Sequence, residues 1–331
     1  MSTPVATKPI DEPATVTRDR RTARRLTGFM PLIALVALMA ALTVADPDFL
    51  TQRSLTAALR TAAPLIVLAA GATLVVLCGG IDLSIAALAS LSTVFLALWL
   101  PDLGGLATPA VIAVAATIGA VQGLAHVLLR LPSFIVTLGG MSILSAVALV
   151  VSGAGTVRVV DDSTVKWLDL YVAGYVPMST AMAVLVVAVI AVILRVTPLR
   201  SWISATGYSE SAARLAGTPV DLVKIGAFCV SGACAGFAAV MLVSRQFSGG
   251  PTMADNLLLP AVAAIVVGGT AITGGHGSVW RSLAGALVVT LLRVGLPIVG
   301  VPSAYEQILY GVIIVIAVAL TLDRSKISII K

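Results

Sequence analysis

The residue in this chain best placed to do chemistry is an acid, Asp82, inside the stretch Gly79-Gly80-Ile81-Asp82-Leu83-Ser84. This polar break separates two apolar runs, Thr61 to Cys78 and Leu83 to Leu100, each roughly long enough to cross about 30 Å of hydrocarbon as a helix. A carboxylate at the bilayer centre costs about 2.5 to 3.5 kcal/mol, so it must face the protein interior or water. Paired glycines let the backbone leave the helix, and irregular backbone persists in a bilayer only where it is buried in protein or lines a wet cavity. Two compatible readings of Asp82 and Ser84 follow. They can accept hydrogen bonds from the backbone N–H groups that open the next helix. They can also shape a solute pathway, because interrupted helices near the midplane recur at the substrate sites of transporters.

Other polar groups are sparse. Ser133, Thr137 and Gly140 fall at helical spacing in LPSFIVTLGGMSILSAVALVVSG and give one small, polar face. Hydroxyls there suit the path of a polyol, and helix packing through hydroxyls explains the face equally well. His126 and His276 lie far apart, and neither has metal-ligand spacing to another His or a Cys pair. His126, near the end of an apolar run, reads as a packed or interfacial histidine. No catalytic constellation and no GxxxxGK[ST] phosphate loop is present. Transport driven by ATP therefore requires an ATPase on another chain. Later in the sequence Gly268-Gly269-Thr270 and Gly274-Gly275-His276-Gly277-Ser278 repeat the glycine pairing, which permits close helix packing and hints at two related halves.

Membrane helices must position these groups. The chain has 331 residues, 59% hydrophobic and 11% charged, with mean hydropathy +1.07, whereas about a quarter of the residues in soluble domains are charged. Its long, nearly charge-free runs exclude a β-barrel. The expected fold is all-α, a polytopic helical membrane protein. Runs at 28–45, 109–129, 133–152, 178–194, 225–243, 257–273, 278–296 and 304–322 join the two beside Asp82, which predicts about ten transmembrane helices with broken helices near the centre. Residues 1–27 form a basic tail with Arg18, Arg20, Arg21, Arg24 and Arg25, residues 28–322 the transmembrane domain, and residues 323–331 a C-terminal tail. The first run is a retained helix, not a signal peptide, since no small-residue cleavage site follows it. Asp46 to Arg60 is expected as an outer interfacial connection. Most of the 21 Lys and Arg then lie on the side of both termini, which places the termini in the cytoplasm and the chain in a plasma (inner) membrane. This distribution explains the net charge of +6 better than nucleic-acid binding does. Cys78, Cys229 and Cys234 read as small core residues.

Residues 195–224 form an inner segment too polar for the membrane and too patterned for a linker. Within GYSESAARLAGTPVDLVK, Ser209 to Ala216 can form a short helix capped by Ser209 or Glu210 and stopped by Gly217, with Pro219 beyond. Its simplest reading is an interfacial helix lying on the membrane.

With these residues in view, the chain resembles the inner-membrane permeases of bacterial ABC importers for monosaccharides, the ribose, xylose, arabinose and galactoside group. CGGIDLSIAAL, LPSFIVTLGGMSIL, SESAARLAGTPVDLVKI and AAIVVGGTAITGGHGSVWRSLAGAL carry the match in the family's order. The resemblance implies a permease working as a pair, homodimer or pseudo-homodimer, with ATP-binding subunits below and an extracytoplasmic sugar-binding protein above. It implies no cofactor in this chain, with ATP and Mg used by the partner ATPase. It assigns the loop around Glu210, Ala212, Ala213, Arg214 and Gly217 to coupling with the ATPase. Ala212, Ala213 and Gly217 match the small-residue core of the importer EAA pattern, Ser211 stands where that pattern has an acid, and the later Leu-Pro is absent. Asp82, Ser84, Ser133 and Thr137 are the expected substrate path, and Gly79, Gly80, Gly268, Gly269, Gly274 and Gly275 the expected helix-breaking positions. Two alternatives stay open: an ABC permease for nucleosides or branched-chain amino acids, and an ion-coupled secondary transporter using Asp82.

Overall fold

The computed structural model describes residues 16–159 and 164–321. In chain order its helices are α1 (Val16–Ala45), α2 (Gln52–Leu77), α3 (Ile85–Leu103), α4 (Ala107–Leu128), α5 (Ser133–Val151), α6 (Met178–Val196), α7 (Leu199–Tyr208), α8 (Glu210–Leu215), α9 (Val220–Gln246), α10 (Leu258–Val267), α11 (Val279–Ile298) and α12 (Glu306–Thr321). Strands among the described residues are dipeptides in connections: β1 (Val157–Arg158) pairs antiparallel with β4 (Ser248–Gly249), and β2 (Tyr171–Val172) with β3 (Val176–Pro177). The helical class is as expected.

The count of about ten spans is not reproduced. Six described segments are long and apolar enough to cross a membrane, and one of them, Ile85–Leu128, takes in both α3 and α4. Met30–Ala45, Asp255–Val267 and Glu306–Ile316 are apolar but shorter. The expected run 257–273 stops early for a local reason. Gly269, at φ +75°, ends α10, with Gly269 N donating to Val266 O and Thr270 N to Ile265 O, the paired closure of a Schellman motif. α10 is therefore 10 residues long, about 15 Å, half the hydrocarbon thickness.

Other boundaries move too. α1 starts at Val16, inside the stretch expected as tail; residues 1–15 and the expected tail 323–331 lie outside the described residues. The connection expected over Asp46 to Arg60 shrinks, because Thr51 accepts a hydrogen bond from Ser54 N and caps α2. Residues 199–208, expected as loop, form α7.

α2 is the central helix, buried continuously from Ala62 to Leu77. α4 and α9 form the most extensive helix pair among the described residues, and their backbones approach closely. An added Cβ at Gly119 would stand 2.3 Å from Phe228 O, and one at Gly232 would stand 2.2 Å from Ala115 O. Gly119 on α4 meets Gly232 on α9, while Gly123 packs on Ile225 and Phe228 and Gly236 on Ile112 and Ala115, so a GxxxG spacing on each helix brings the backbones together where lipid offers no hydrophobic drive. Gly232→Val should separate these helices and cost about 1 to 3 kcal/mol or more, whereas Gly226→Ala, whose Cβ meets nothing within 4 Å, should leave the melting temperature unchanged. Equal melting of the two variants would contradict this packing.

Candidate functional site

The break after α2 is built by its own sequence. Gly79 takes φ +80°; Gly79 N donates to Val76 O and Gly80 N to Val75 O, the same closure that ends α10. The peptide then runs without helical pairing to Ile85, and two hydroxyls of α5 complete it. Ser133 Oγ accepts from Ile81 N at 2.9 Å. Thr137 Oγ1 accepts from Leu83 N at 3.1 Å and lies 3.1 Å from Ile81 O, to which it donates. Both side chains are buried, Thr137 fully. The polar face read from α5 is thus turned inward onto the break.

Asp82 ties the same peptide to two further helices. Its Oδ1 accepts from Ser84 N at 3.0 Å and from Ser84 Oγ at 2.7 Å, and its Oδ2 accepts from Ser231 Oγ on α9 at 2.8 Å. Ser84 Oγ also stands 2.7 Å from Gln122 Oε1 on α4, and its single proton serves one acceptor at a time. Ser84 occupies the N-cap position of α3 but makes no side-chain cap bond. The carboxylate meets the backbone just ahead of the helix, an Asx-type turn that does part of the expected capping. Ser231 lies near the middle of α9, so the network sits deep in the bundle. Asp82, Ser84, Ser133 and Thr137 are brought together. Gln122 and Ser231 complete the group; sequence reading passed over both, although a lone amide in the apolar α4 is the kind of intramembrane polar residue that marks a site.

The expected helix-breaking glycines converge as well. Gly275 N donates to Leu77 O at 2.9 Å. An added Cβ at Gly274 would stand 2.8 Å from Gly79 Cα, and one at Gly207 would stand 2.0 Å from Leu77 O and 2.3 Å from Gly275 N. The end of α2, the α10–α11 loop and α7 therefore meet backbone to backbone. Gly268 serves a different contact, its Cβ position lying 2.6 Å from Arg281 O at the start of α11.

Beside this junction, α8 forms as expected: Ser209 caps it by accepting from Ala212 N, and Gly217, at φ +80°, closes it. Arg214 bonds Glu210 at 2.9 Å and Asp221 on α9 at 3.1 Å, and Lys224 bonds Glu210 at 2.5 Å. Partial burial pushes the Glu210 carboxyl up, but hydrogen bonds and charge from Lys224 and Arg214 outweigh it and hold it below its ordinary 4.5. The clamp's contribution is therefore present above the ordinary value and is lost only as pH falls through the lowered one. Ala213 is buried, while Arg214 and Gly217 stay exposed. A cavity of about 840 Å³ opens between this cluster and the α4–α5 turn, where His126 Nδ1 meets Leu131 O at 2.6 Å. A second, of about 420 Å³, runs beneath the break and is lined by Ser133, Tyr208, Ser209 and Lys224 among others. Thr206 Oγ1 lines it too, buried and without a hydrogen-bond partner.

A protein-family model described as the permease component of branched-chain amino acid transport systems matches residues 54–318. The chain belongs to this permease family. The ribose import permease protein RbsC of Escherichia coli is 33% identical to the permease over 297 residues, covering 87% of this chain and 91% of that protein. The Bacillus subtilis ribose import permease protein is 32% identical over 308 residues, covering 89% and 92%. The fructose import permease protein FrcC of Rhizobium meliloti is 30% identical over 302 residues, covering 88% and 84%. The resemblance to sugar-importer permeases read from the four motifs holds, and the permease is a multi-pass membrane protein. Groups of three or more His, Cys, Asp or Glu able to hold a metal are absent among the described residues.

The Asp82 network yields a graded expectation. Asp82→Asn keeps one acceptor for Ser84 and presents an amide that Ser231 Oγ can accept, whereas Asp82→Leu leaves Ser84 N and Ser231 Oγ without a partner and Ser84 Oγ with Gln122 alone, each buried loss costing about 1 to 3 kcal/mol. Melting of the purified permease should fall modestly for Asn and steeply for Leu. Equal melting of wild type and Asp82→Leu would remove the network from the fold's support.

Proposed function

We propose that this permease is the membrane subunit of an ATP-driven importer that passes a monosaccharide inward, delivered by an extracytoplasmic binding protein and powered by ATP hydrolysis in a separate subunit. The observation that carries the reading is the glycine junction, which joins the polar break to α7 and hence to α8. α8 is the docking element for the ATPase, and both termini with α7 and α8 lie in the cytoplasm, in keeping with the basic residues there. Closure of the ATPases shifts α8, α7 follows, and the backbone at Leu77, Gly79 and Gly275 moves with it. The hydroxyl-lined peptide at Asp82 and Ser84 then opens and closes a polar path, while ribose and fructose import by relatives supports sugar as cargo. About ten membrane helices are counted once the shorter apolar ones are included, with α10 a half-length one, and two copies of the permease pair across the path.

The cargo is tested by reconstituting the permease with its ATPase and binding protein in liposomes. Uptake of ribose or fructose dependent on ATP is expected. Uptake of leucine instead would give the permease the cargo named in the family description, and uptake driven by an ion gradient with no ATPase present would make it a secondary transporter. Arg214→Glu, which places a third acid against Glu210 and Asp221, should leave the permease in the membrane while reducing ATPase co-purification and uptake. Undiminished co-purification and uptake would remove α8 from the docking surface.

A further inference from the structure

Between α6, α7, the start of α11 and the end of α2 at Leu77 lies a pocket of about 350 Å³ whose chemistry is one-sided. Arg195 from the last turn of α6, Arg200 and Ser204 from α7, and Ser278 and Trp280 at the start of α11 line it, and the lining contains no acid. Arg195 and Arg200 are exposed and make no ion pair among the described residues. This contrasts with the cavity beside α8, where Arg214 and Lys224 are neutralised by Glu210 and Asp221. Two arginines thus line one space together with two serines and a tryptophan and no carboxylate, and guanidinium groups match a phosphodiester by paired N–H donors.

Leu194 and Ile203 form walls of this pocket and also of an apolar groove of about 180 Å³. The groove runs between α2, α6, α7 and α9 over Leu74, Ile193, Gly226 and Val230. It is open because α9 carries glycine there: a Cβ added at Gly226 would meet nothing within 4 Å. A polar pocket asking for an anion beside a slot asking for hydrocarbon, with Trp280 half-exposed at the same level, matches a lipid at a membrane boundary.

We propose that this is a binding site for an anionic phospholipid, its phosphate held by Arg195 and Arg200 and one acyl chain laid in the groove past Gly226. A free phosphate has the same headgroup chemistry but no use for the groove, so the groove decides between the two sources. Because the lipid would rest on α7, its binding would bear on the helix that touches the break through Gly207.

The test uses the full chain purified in neutral detergent, with binding followed by native mass spectrometry and thermal melting. Phosphatidylglycerol should bind and raise the melting temperature. Phosphatidylcholine with the same acyl chains should bind far more weakly, and inorganic phosphate should not reproduce the shift. Arg195→Gln and Arg200→Gln should each weaken phosphatidylglycerol binding about fivefold and together more than tenfold, the change that corresponds to about 1 kcal/mol per cation. Gly226→Leu, which fills the groove without touching a charge, should weaken it as well while leaving melting without lipid unchanged. Equal binding of the two lipids, an equal shift with phosphate alone, or undiminished phosphatidylglycerol binding in the double Arg variant or in Gly226→Leu would overturn the proposal.

Discussion

Unpaired peptide groups are not tolerated in hydrocarbon, and this constraint governs how the permease is assembled. Between Cys78 and Ile85 the chain leaves the helix, and its exposed N–H and C=O groups must find partners from elsewhere. Ser133 and Thr137 supply them from α5. Asp82, with Ser84 and Ser231, anchors the same peptide to α9, and Ser84 also reaches Gln122 on α4. Three helices, α4, α5 and α9, are consequently registered on one non-helical peptide, and moving any of them would expose a buried polar group at a cost of about 1 to 3 kcal/mol.

Glycine provides the second requirement, close approach. At the end of α2 the carbonyl of Leu77 accepts from Gly275 N while Gly207 packs against both. No side chain fits at Gly207 or Gly274, so displacement of α7 is passed on by backbone contact, without flexible side chains to absorb it. The α2 and α10 ends repeat one closing geometry, with Gly79 and Gly269 both at positive φ. α10 spans only half a bilayer, whereas α2 is complete.

Composition and hydropathy were enough to read the helical membrane class, and α8 could be read with its Ser209 cap and Gly217 stop, because those signals are local. The residues of the break were also readable, since an acid among apolar runs has few explanations. The partners were not. Thr137 and Ser133 lie more than fifty positions from the peptide they clamp, and Ser231 lies 149 positions from Asp82; helical periodicity shows which face is polar, not what it meets. The span 257–273 was misread because hydropathy continues through Gly268 and Gly269 while the backbone turns. The GxxxG spacings of α4 and α9 were present in the sequence, yet small-residue spacing does not name the opposing helix.

The proposed mechanism depends on mechanical continuity between α7 with α8, the helices proposed to meet the ATPase, and the polar break, and Gly207 is where that continuity is thinnest. The most direct measurement is sugar transported per ATP hydrolysed by the reconstituted complex carrying Gly207→Ala, with melting of the complex followed alongside. The added methyl must displace Leu77 O or Gly275 N. The account predicts an assembled complex that still hydrolyses ATP but moves markedly less sugar per ATP than wild type. An unchanged ratio in a complex of unchanged stability would contradict it.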